Sequence, residues 1–147
     1  MKELGAVPAV FPMPVLMIGT YDENGKIDVM NAAWGTQCAA DKVLLCLSSS
    51  HKTVKNLLKT KAFTVALASP EQVVQADYFG IASGNTTEDK FEKSGLHAEK
   101  SAYVNAPVIR EFPVTMECEL LEEVNTENLH CFVGRIVNTT AAESSLK

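Results

Sequence analysis

The amino-acid sequence predicts a mainly β domain, a β-barrel or Greek key with two or three short helices. Short apolar runs of strand length recur along the chain, and glycine, asparagine and aspartate residues separate them. The two longest runs follow one another near the carboxyl end, and only two stretches space their apolar residues as a helix does. About six strands with two short helices are typical of a small barrel whose ends are covered by helices.

Length and composition limit the classes of protein to which the chain can belong. Its 147 residues are enough for one domain with a buried core. Hydrophobic residues make up 46% and charged residues 21%, as in ordinary soluble proteins, so no unusual class is indicated. The net charge of −5 argues against a general nucleic-acid binder, because such binding depends on a basic surface.

The apolar stretch from Leu4 to Gly19 resembles a signal peptide only superficially. Prolines interrupt it, Glu3 spoils the basic start, and no typical small-residue cleavage site follows. It is also shorter than the roughly 20 apolar residues of a membrane-spanning helix. We therefore expect an extended lead-in to a buried first strand, a cytoplasmic protein and no association with membranes.

The first strands form a predicted hairpin. Pro14 to Thr20 is a compact apolar run, Tyr21 to Lys26 is rich in turn-forming residues, and Ile27 to Ala33 is the returning strand. Two further short strands are predicted at Val43 to Leu47 and at Ala62 to Ala68, because polar residues bound each apolar run.

Two short helices and a long loop fill the middle of the chain. His51 to Thr60 has apolar residues at positions i, i+3 and i+4, which predicts a helix with one apolar face. Pro70 to Phe79 is predicted as a second helix, since proline is favoured in the first turn. The polar stretch from Gly80 to Tyr103 is predicted as one loop with a helical turn at Glu88 to Glu92. Loops longer than about 12–15 residues are often functional.

The two longest strands are predicted at Pro113 to Val124 and at Asn128 to Thr139. A turn at Asn125 to Glu127 joins them. Alternation along the second strand fits a barrel wall that is exposed on parts of both faces.

Most familiar catalytic motifs are missing. The chain has no GxGxxG or GxxxxGK phosphate loop and no GxSxG nucleophile elbow. Its cysteines show no CxxC spacing and its histidines no ligand spacing, which argues against a metal site and favours core thiols. We therefore predict no metal and assign no catalytic residue. The residues concerned are Cys38, Cys46, Cys118, Cys131, His51, His97 and His130.

The first candidate binding segment is Ser50 to Thr53. Ser50 is predicted as the N-cap of the first helix, which places His51, Lys52 and Thr53 in its first turn. Free backbone N–H groups, the helix dipole, a hydroxyl and an ammonium would together favour a bound phosphate. A plain capped helix with exposed polar residues is the alternative that the local sequence leaves open.

Two other segments are candidates for the rest of a ligand. Asn31 to Trp34 puts small residues at a strand end, where a flat ligand could approach the backbone, although a lone tryptophan is more often a core or interface residue. Ser83 and Gly84, followed by Asp89 to Phe91, offer a tight turn and a hydroxyl, although a flexible surface loop has the same pattern.

Taken together and in this order, the segments resemble the flavin reductase-like family of FMN-binding split β-barrel proteins, in particular its flavoredoxin-like branch. Each motif is weak alone, but five in the right order are specific, and they extend from about Pro12 to about Val137. The resemblance implies a single split-barrel Greek-key domain over residues 1–147 and a homodimer with FMN at or near its interface. The matching segments are PVLMIGTYDENGKIDVMNAAWG, SSSHKTVKNLLKTKAFTVAL, ADYFGIASGNTTEDKF, APVIREFPVTMECEL and HCFVGRIV.

The resemblance also implies which residues bind FMN. One set runs along the isoalloxazine and ribityl through backbone groups, a second surrounds the phosphate, and a third lies on the loop that closes over the flavin from the same or the second subunit. Many relatives have an arginine where His51 or Lys52 stands, so which of these two pairs with the phosphate stays open. The three sets are, in order, Asn31, Ala32, Ala33 and Trp34; Ser48, Ser50, His51, Lys52 and Thr53; and Ser83, Gly84 and Lys90.

The same resemblance implies that the chain would be an FMN-containing oxidoreductase. It would transfer electrons between NAD(P)H or a redox protein and flavin or another acceptor. A flavoredoxin-like electron carrier without its own NAD(P)H turnover is the alternative. Relatives usually continue for some tens of residues past the GRIV strand, whereas this sequence ends at Lys147. A truncated barrel that no longer binds flavin is therefore a third interpretation.

Overall fold

The computed structural model describes residues 1–127 and 129–146, and these ranges contain nine strands and two α-helices. The helices are α1 (Lys52–Thr60) and α2 (Val73–Ile81), and 3₁₀ turns occupy Pro70–Gln72, Glu92–Ser94 and Glu143–Ser145. The strands are β1 (Leu16–Tyr21), β2 (Ile27–Ala32), β3 (Gly35–Ala39), β4 (Lys42–Leu47), β5 (Ala62–Leu67), β6 (Ala98–Lys100), β7 (Pro107–Ile109), β8 (Val114–Thr126) and β9 (Leu129–Ala141). Seven of them form one sheet in the order β2-β1-β5-β8-β9-β4-β3, and β6 pairs with β7.

The main sheet curls until its two outer strands meet. Those strands are β2 and β3, and only Ala33 and Trp34 separate them in the chain. At the junction, a Cβ on Gly35 of β3 would lie 2.7 Å from Leu16 of β1 and 3.0 Å from Leu45 of β4. Strands from opposite halves of the order therefore contact one another, and the sheet closes into a barrel.

The mainly β class predicted from the sequence is confirmed, and most elements lie where expected. β1 and β2 pair antiparallel along their whole lengths, from Leu16 opposite Ala32 to Tyr21 opposite Ile27. β8 and β9 are the longest strands, with 13 residues each. The strand predicted from Asn128 begins at Leu129 within the described residues, and Asn128 itself lies outside them.

Three strands have no counterpart among the predicted elements. β3 is almost entirely exposed, so it has no apolar alternation, and β6 and β7 have only three residues each. The stretch from Gly80 to Tyr103 is not a single loop, because α2 extends to Ile81 and β6 lies within it. Its helical turn is at Glu92–Ser94 rather than at Glu88 to Glu92.

Apolar side chains pack on both faces of the sheet, which explains the uninterrupted apolar run of β1. Met17 and Ile18 are 1% and 0% exposed, although consecutive strand residues point to opposite faces. Ile18 belongs to a cluster with Phe63 and with Leu57 of α1. Met17 belongs to a second cluster that includes Phe79 of α2. The two helices therefore cover opposite faces of the sheet.

The four cysteines differ in burial. Cys118 and Cys131 are buried, as expected of core thiols. Cys46 is half-buried, whereas Cys38 on β3 lies at the surface. The prediction of core thiols is therefore wrong for Cys38, because β3 is an exposed edge strand.

A buried cluster of polar side chains links α1 and the segment after α2 to the β1–β2 hairpin through hydrogen bonds and an ion pair. The Asp28 carboxylate on β2 accepts a hydrogen bond of 2.7 Å from the Thr53 hydroxyl, and the Lys90 ammonium lies 3.5 Å from its other oxygen. The Lys90 and Asp28 side chains are 5% and 3% exposed. Burial lowers the pKa of Lys90, and the charge of Asp28 opposes this shift. Asn56 of α1 also donates to the Thr20 hydroxyl of β1 at 3.0 Å.

We predict that Gly134 on β9 cannot carry a side chain while Phe63 keeps its place. A Cβ at Gly134 would lie 2.3 Å from Cζ and 2.9 Å from Cε1 of Phe63, whose side chain is fully buried. Gly134→Ala should lower the free energy of unfolding by about 1–3 kcal/mol, because overpacking a dense core forces side chains and backbone to shift. Urea denaturation measures this change.

The matched control removes the obstacle. Phe63→Leu takes away the ring edge that the new methyl group would meet, so the double variant should lose less stability than the two single losses added together. Strict additivity of the two losses would contradict the steric explanation.

We further predict that Lys90 is needed to keep Asp28 buried. Lys90→Met should lower the free energy of unfolding by about 3–5 kcal/mol, because it leaves a buried carboxylate without its cation. Adding Asp28→Asn to that variant should recover part of the loss. Urea denaturation of both variants measures the effect.

Lys26→Met is the matched control, since Lys26 forms an ion pair with Asp89 in which both side chains are about half exposed. Exposed pairs contribute little, so this variant should be as stable as the wild type. Equal losses for Lys90→Met and Lys26→Met would show that the burial of the Asp28 pair has no special weight.

Candidate functional site

The turn after β2 lies beside the end of β4, and this contact brings two predicted binding segments together. The backbone carbonyl of Trp34 accepts a hydrogen bond of 2.8 Å from the Cys46 N–H. β4 ends at Leu47, and Ser48 begins the connection into α1. The Asn31 to Trp34 segment and the approach to α1 therefore adjoin where the sheet closes.

The start of α1 is open to a ligand. His51 occupies the N-cap position, and no side chain caps the helix. The predicted N-cap, Ser50, is wrong by one residue, because its hydroxyl shares a hydrogen bond of 2.9 Å with the Ser48 hydroxyl instead. The first-turn N–H groups therefore have no side-chain acceptor, and such groups attract anions. Ser48, Ser50 and His51 are all exposed around them.

The loop after α2 reaches back to this helix start. The Asn85 amide donates to the Ser50 carbonyl at 3.0 Å and accepts from the Lys55 ammonium at 2.9 Å. A Cβ on Gly84 would lie 2.3 Å from an Asp28 oxygen, so only glycine lets the loop pass this close to β2. The predicted third segment therefore meets the predicted phosphate segment, and Asn85 is the residue that joins them.

Both predicted lysines have carboxylate partners. The Lys52 ammonium lies 3.1 Å from the Asp22 carboxylate, and the Lys90 ammonium lies 3.5 Å from that of Asp28. Burial acts to raise the pKa of Asp22, but backbone hydrogen bonds from Lys26 and Asn24 and the Lys52 ammonium together hold that pKa below its usual value. Much of the positive charge expected at the phosphate is therefore already balanced within the chain.

Several predicted residues turn their side chains inward. The Asn31 amide donates to the Ala76 carbonyl of α2 at 3.0 Å, and Ala32 is buried. Thr53 is 1% exposed, because its hydroxyl is the one that binds Asp28. Backbone groups are what these positions can offer a ligand. Ser83, in contrast, is exposed at the start of a turn in which its carbonyl accepts the Thr87 N–H at 2.8 Å.

The predicted binding residues that line cavities lie in two different ones. A polar cavity of about 240 Å³ between β2, α1 and the loop is lined by Lys52, Gly84 and Lys90 together with Asp28. Trp34 lines a different, apolar cavity of about 320 Å³ beside Cys46 and the amino-terminal segment. The structure thus brings Lys52 of the predicted phosphate set together with Gly84 and Lys90 of the predicted loop set. Trp34 lies in the other cavity.

Asn85, Lys55 and Asp22 carry no signal in the motifs. Lys55 belongs to a lysine-rich helix face that suggests only solvation, yet here it bonds to an amide of the loop. Asp28 differs from them, because a charged residue between the apolar Ile27 and Val29 of a strand indicates a buried polar contact. Its partners could not be named from the sequence, since Thr53 and Lys90 are distant along the chain.

The arrangement is suited to binding rather than to acid–base chemistry. An open helix start and exposed serines can take an anion, and the adjoining Ala33 and Trp34 expose backbone and an indole ring to a flat group. In residues 1–127 and 129–146 no cluster of three or more His, Cys, Asp and Glu is arranged to hold a metal. No helix in those same ranges has the length and apolarity that crossing a membrane requires.

Sequence comparison places the chain among known proteins. Residues 9–147 match the model of the flavin reductase like domain. An uncharacterised protein of Aquifex aeolicus is 30% identical over 132 residues, which cover 85% of this chain and 67% of that protein.

Two solved structures are similar in fold. Flavoredoxin of Desulfovibrio vulgaris (Miyazaki F) superposes with a TM-score of 0.91 at 33% identity, covering 98% of this chain and 78% of that chain. An FMN-binding protein from Thermus thermophilus, solved with bound p-hydroxybenzaldehyde, superposes with a TM-score of 0.82 at 21% identity, covering 97% of this chain and 81% of that chain. At the lower identity the likeness concerns the fold alone.

These matches confirm two expectations. The closed sheet with helices on both faces is the split-barrel fold of the flavin reductase-like neighbours, as predicted. The five segments that resemble the family lie within the residues that its model matches. Because the family model covers nearly the whole sequence, the chain belongs to the family of flavin reductase like domains.

Proposed function

We propose that the chain is an FMN-binding oxidoreductase that transfers electrons between a nicotinamide or a redox-protein donor and flavin or another acceptor. The observation that carries this proposal is the uncapped start of α1, flanked by the exposed Ser48 and Ser50 and adjoining Trp34. Family membership supports the flavin, and an FMN-binding protein has the same fold.

The residues at this site fit the phosphate of FMN. The first-turn N–H groups of α1 and the hydroxyls of Ser48 and Ser50 would donate to its oxygens. Lys52 would add a charge that it shares with Asp22, and Lys55 would add a second at the Asn85 contact. Thr53 would contribute its backbone N–H, because its hydroxyl is held by Asp28.

The flavin ring fits the Asn31 to Trp34 segment. The buried Ala32 and the inward-turned Asn31 would leave the backbone free to approach a planar group, and Trp34 would offer its ring. When bound, the isoalloxazine supplies the capacity to accept and pass on electron pairs, while the protein supplies binding and orientation. We assign no side chain to proton transfer.

Trp34 is 61% exposed, and Val10 and Phe11 of the amino-terminal segment are also exposed. Such an apolar surface is typical of an interface. We therefore propose a homodimer in which a second subunit covers Trp34 and excludes water from the flavin. The loop with Gly84 and Lys90 would close over the flavin from the same subunit, since it contacts α1 and β2 of its own chain.

An electron carrier that does not turn over NAD(P)H is the second candidate. Two observations favour it: the similarity to flavoredoxin and the absence of a recognisable nucleotide-binding motif in the sequence. In that case the flavin would be reduced by a protein donor.

We predict that Lys52→Ala weakens FMN binding far more than riboflavin binding. One charge-assisted contact contributes about 1.5–3 kcal/mol, so the FMN dissociation constant should rise roughly 10- to 150-fold. Riboflavin has no phosphate and should bind nearly as before. Titrations that follow flavin fluorescence measure both constants.

Lys59→Ala is the matched control, because Lys59 lies at the other end of the same helix and pairs with the exposed Glu23. It should leave both affinities unchanged. If Lys52→Ala weakened FMN and riboflavin binding equally, the phosphate would not lie at the start of α1.

We also predict that NADH or NADPH reduces the FMN-loaded protein directly. Under anaerobic conditions the flavin absorbance at about 450 nm should bleach rapidly with one of the two nucleotides. Dithionite is the control that shows the flavin to be reducible. Bleaching by dithionite without bleaching by either nucleotide would favour the electron-carrier function instead.

A further inference from the structure

Cys46 and Cys131 form an unbonded thiol pair across two neighbouring strands. They are direct register partners of β4 and β9, and their Sγ atoms lie 3.1 Å apart. A disulfide bond is roughly 2.05 Å long, so a closure of about 1 Å would join the two sulfurs. Directly opposed antiparallel residues also have Cα atoms about 4.5–5.5 Å apart, within the range that disulfides span.

We propose that Cys46 and Cys131 are a reversible dithiol–disulfide couple that exchanges with low-molecular-weight disulfides. In the first step one cysteine sulfur attacks such a disulfide, which forms a mixed disulfide and releases one thiol. In the second step the other cysteine attacks the protein-bound sulfur and releases the second thiol. The protein loses two electrons and two protons, and the external disulfide gains them as two thiols.

The position of the pair in the sheet favours reversibility. β4 and β9 pair continuously from Lys42 opposite Arg135 to Leu47 opposite His130, so the strands resist displacement. Cβ atoms of directly opposed residues are about 4.5–5.5 Å apart, whereas a disulfide brings them to about 3.5–4.5 Å. Closing the bond therefore strains the ladder, and strained disulfides are more readily reduced.

In the single subunit, small molecules can reach the pair from one side. Cys46 is half-buried and lines the apolar cavity of about 320 Å³ beside Trp34, whereas Cys131 is only 6% exposed. Cys46 is therefore the sulfur that meets an external disulfide first, and Cys131 completes the bond. Burial and the neighbouring Cys131 raise the pKa of Cys46 to about 11, which keeps the thiol protonated at neutral pH and the exchange slow.

The two remaining cysteines serve as internal comparisons. Cys118 is completely buried, and Cys38 is exposed on the edge strand β3. If exposure alone decided oxidation, Cys38 would react and the pair would not. The proposal requires that Cys46 and Cys131 form the disulfide within one chain, whether or not Cys38 binds glutathione.

The structure supplies its own reporter for the reaction. Trp34 is the only tryptophan in the sequence, it lines the same cavity as Cys46, and its carbonyl accepts the Cys46 N–H at 2.8 Å. A change in the sulfur chemistry beside it should therefore alter the intrinsic fluorescence. This fluorescence change does not depend on bound flavin. The test of the disulfide is therefore independent of the proposed FMN-binding function.

The test is a thiol count after incubation of the reduced chain with oxidised glutathione. After an alkylating quench and denaturation, Cys46 and Cys131 of the wild type should no longer be alkylated. The intact mass should show the loss of two hydrogens, apart from the added mass of any glutathione bound to Cys38. Peptide mapping should link the segment with Cys46 to that with Cys131. Dithiothreitol should restore all four thiols and the original Trp34 fluorescence.

Single variants supply the controls. Cys38→Ser should still lose two thiols with the same fluorescence change, whereas Cys46→Ser and Cys131→Ser should form no internal disulfide. The proposal is overturned if Cys46 and Cys131 stay fully alkylatable in the wild type, if the linked peptide involves Cys38 or Cys118, or if dithiothreitol does not reverse the bond. Each of these outcomes is measured on the wild type. The test therefore remains decisive even if a variant fails to fold.

Discussion

The carboxylate of Asp28 is buried in β2, and the geometry of the binding region depends on how it is satisfied. An ionised carboxylate is costly to remove from water unless hydrogen bonds and a cation compensate it. Thr53 donates the hydrogen bond, Lys90 supplies the cation, and Gly84 lets the loop pass against the carboxylate. These partners come from α1 and from the segment after α2, so one buried charge fixes the helix start and the loop relative to the sheet.

The same interaction decides what the site can offer an anion. Lys90 forms an ion pair with Asp28, and Lys52 forms one with Asp22. The two lysines therefore do not form a pocket of uncompensated positive charge. What remains open is the backbone of the uncapped α1, with serine hydroxyls around it. Such a site recognises a phosphate by directed N–H and O–H donors, to which Lys52 would add one charge-assisted contact. This agrees with a chain whose overall charge is negative.

Local patterns were enough to predict most of the elements, but not the contacts between them. The β1–β2 hairpin and α1 follow from apolar spacing and turn residues, which act over a few positions. β3 was not predicted, because an exposed edge strand needs no alternation of apolar and polar residues. The N-cap was predicted at Ser50 instead of His51, because the Ser50 hydroxyl bonds to that of Ser48 and not to the helix. The links from Asn85 to Ser50 and from Lys90 to Asp28 join residues far apart in the chain, so only the folded sheet brings them together.

A crystal structure of the chain grown with FMN tests the central claim most directly, because it locates both ends of the ligand at once. We expect phosphate oxygens within about 2.7–3.2 Å of the first-turn N–H groups of α1 and of the Ser48 and Ser50 hydroxyls. The ring should lie against the segment from Asn31 to Trp34. An FMN phosphate bound elsewhere, for example in the cavity of about 410 Å³ beside Arg110, with the start of α1 left to solvent, would contradict the account.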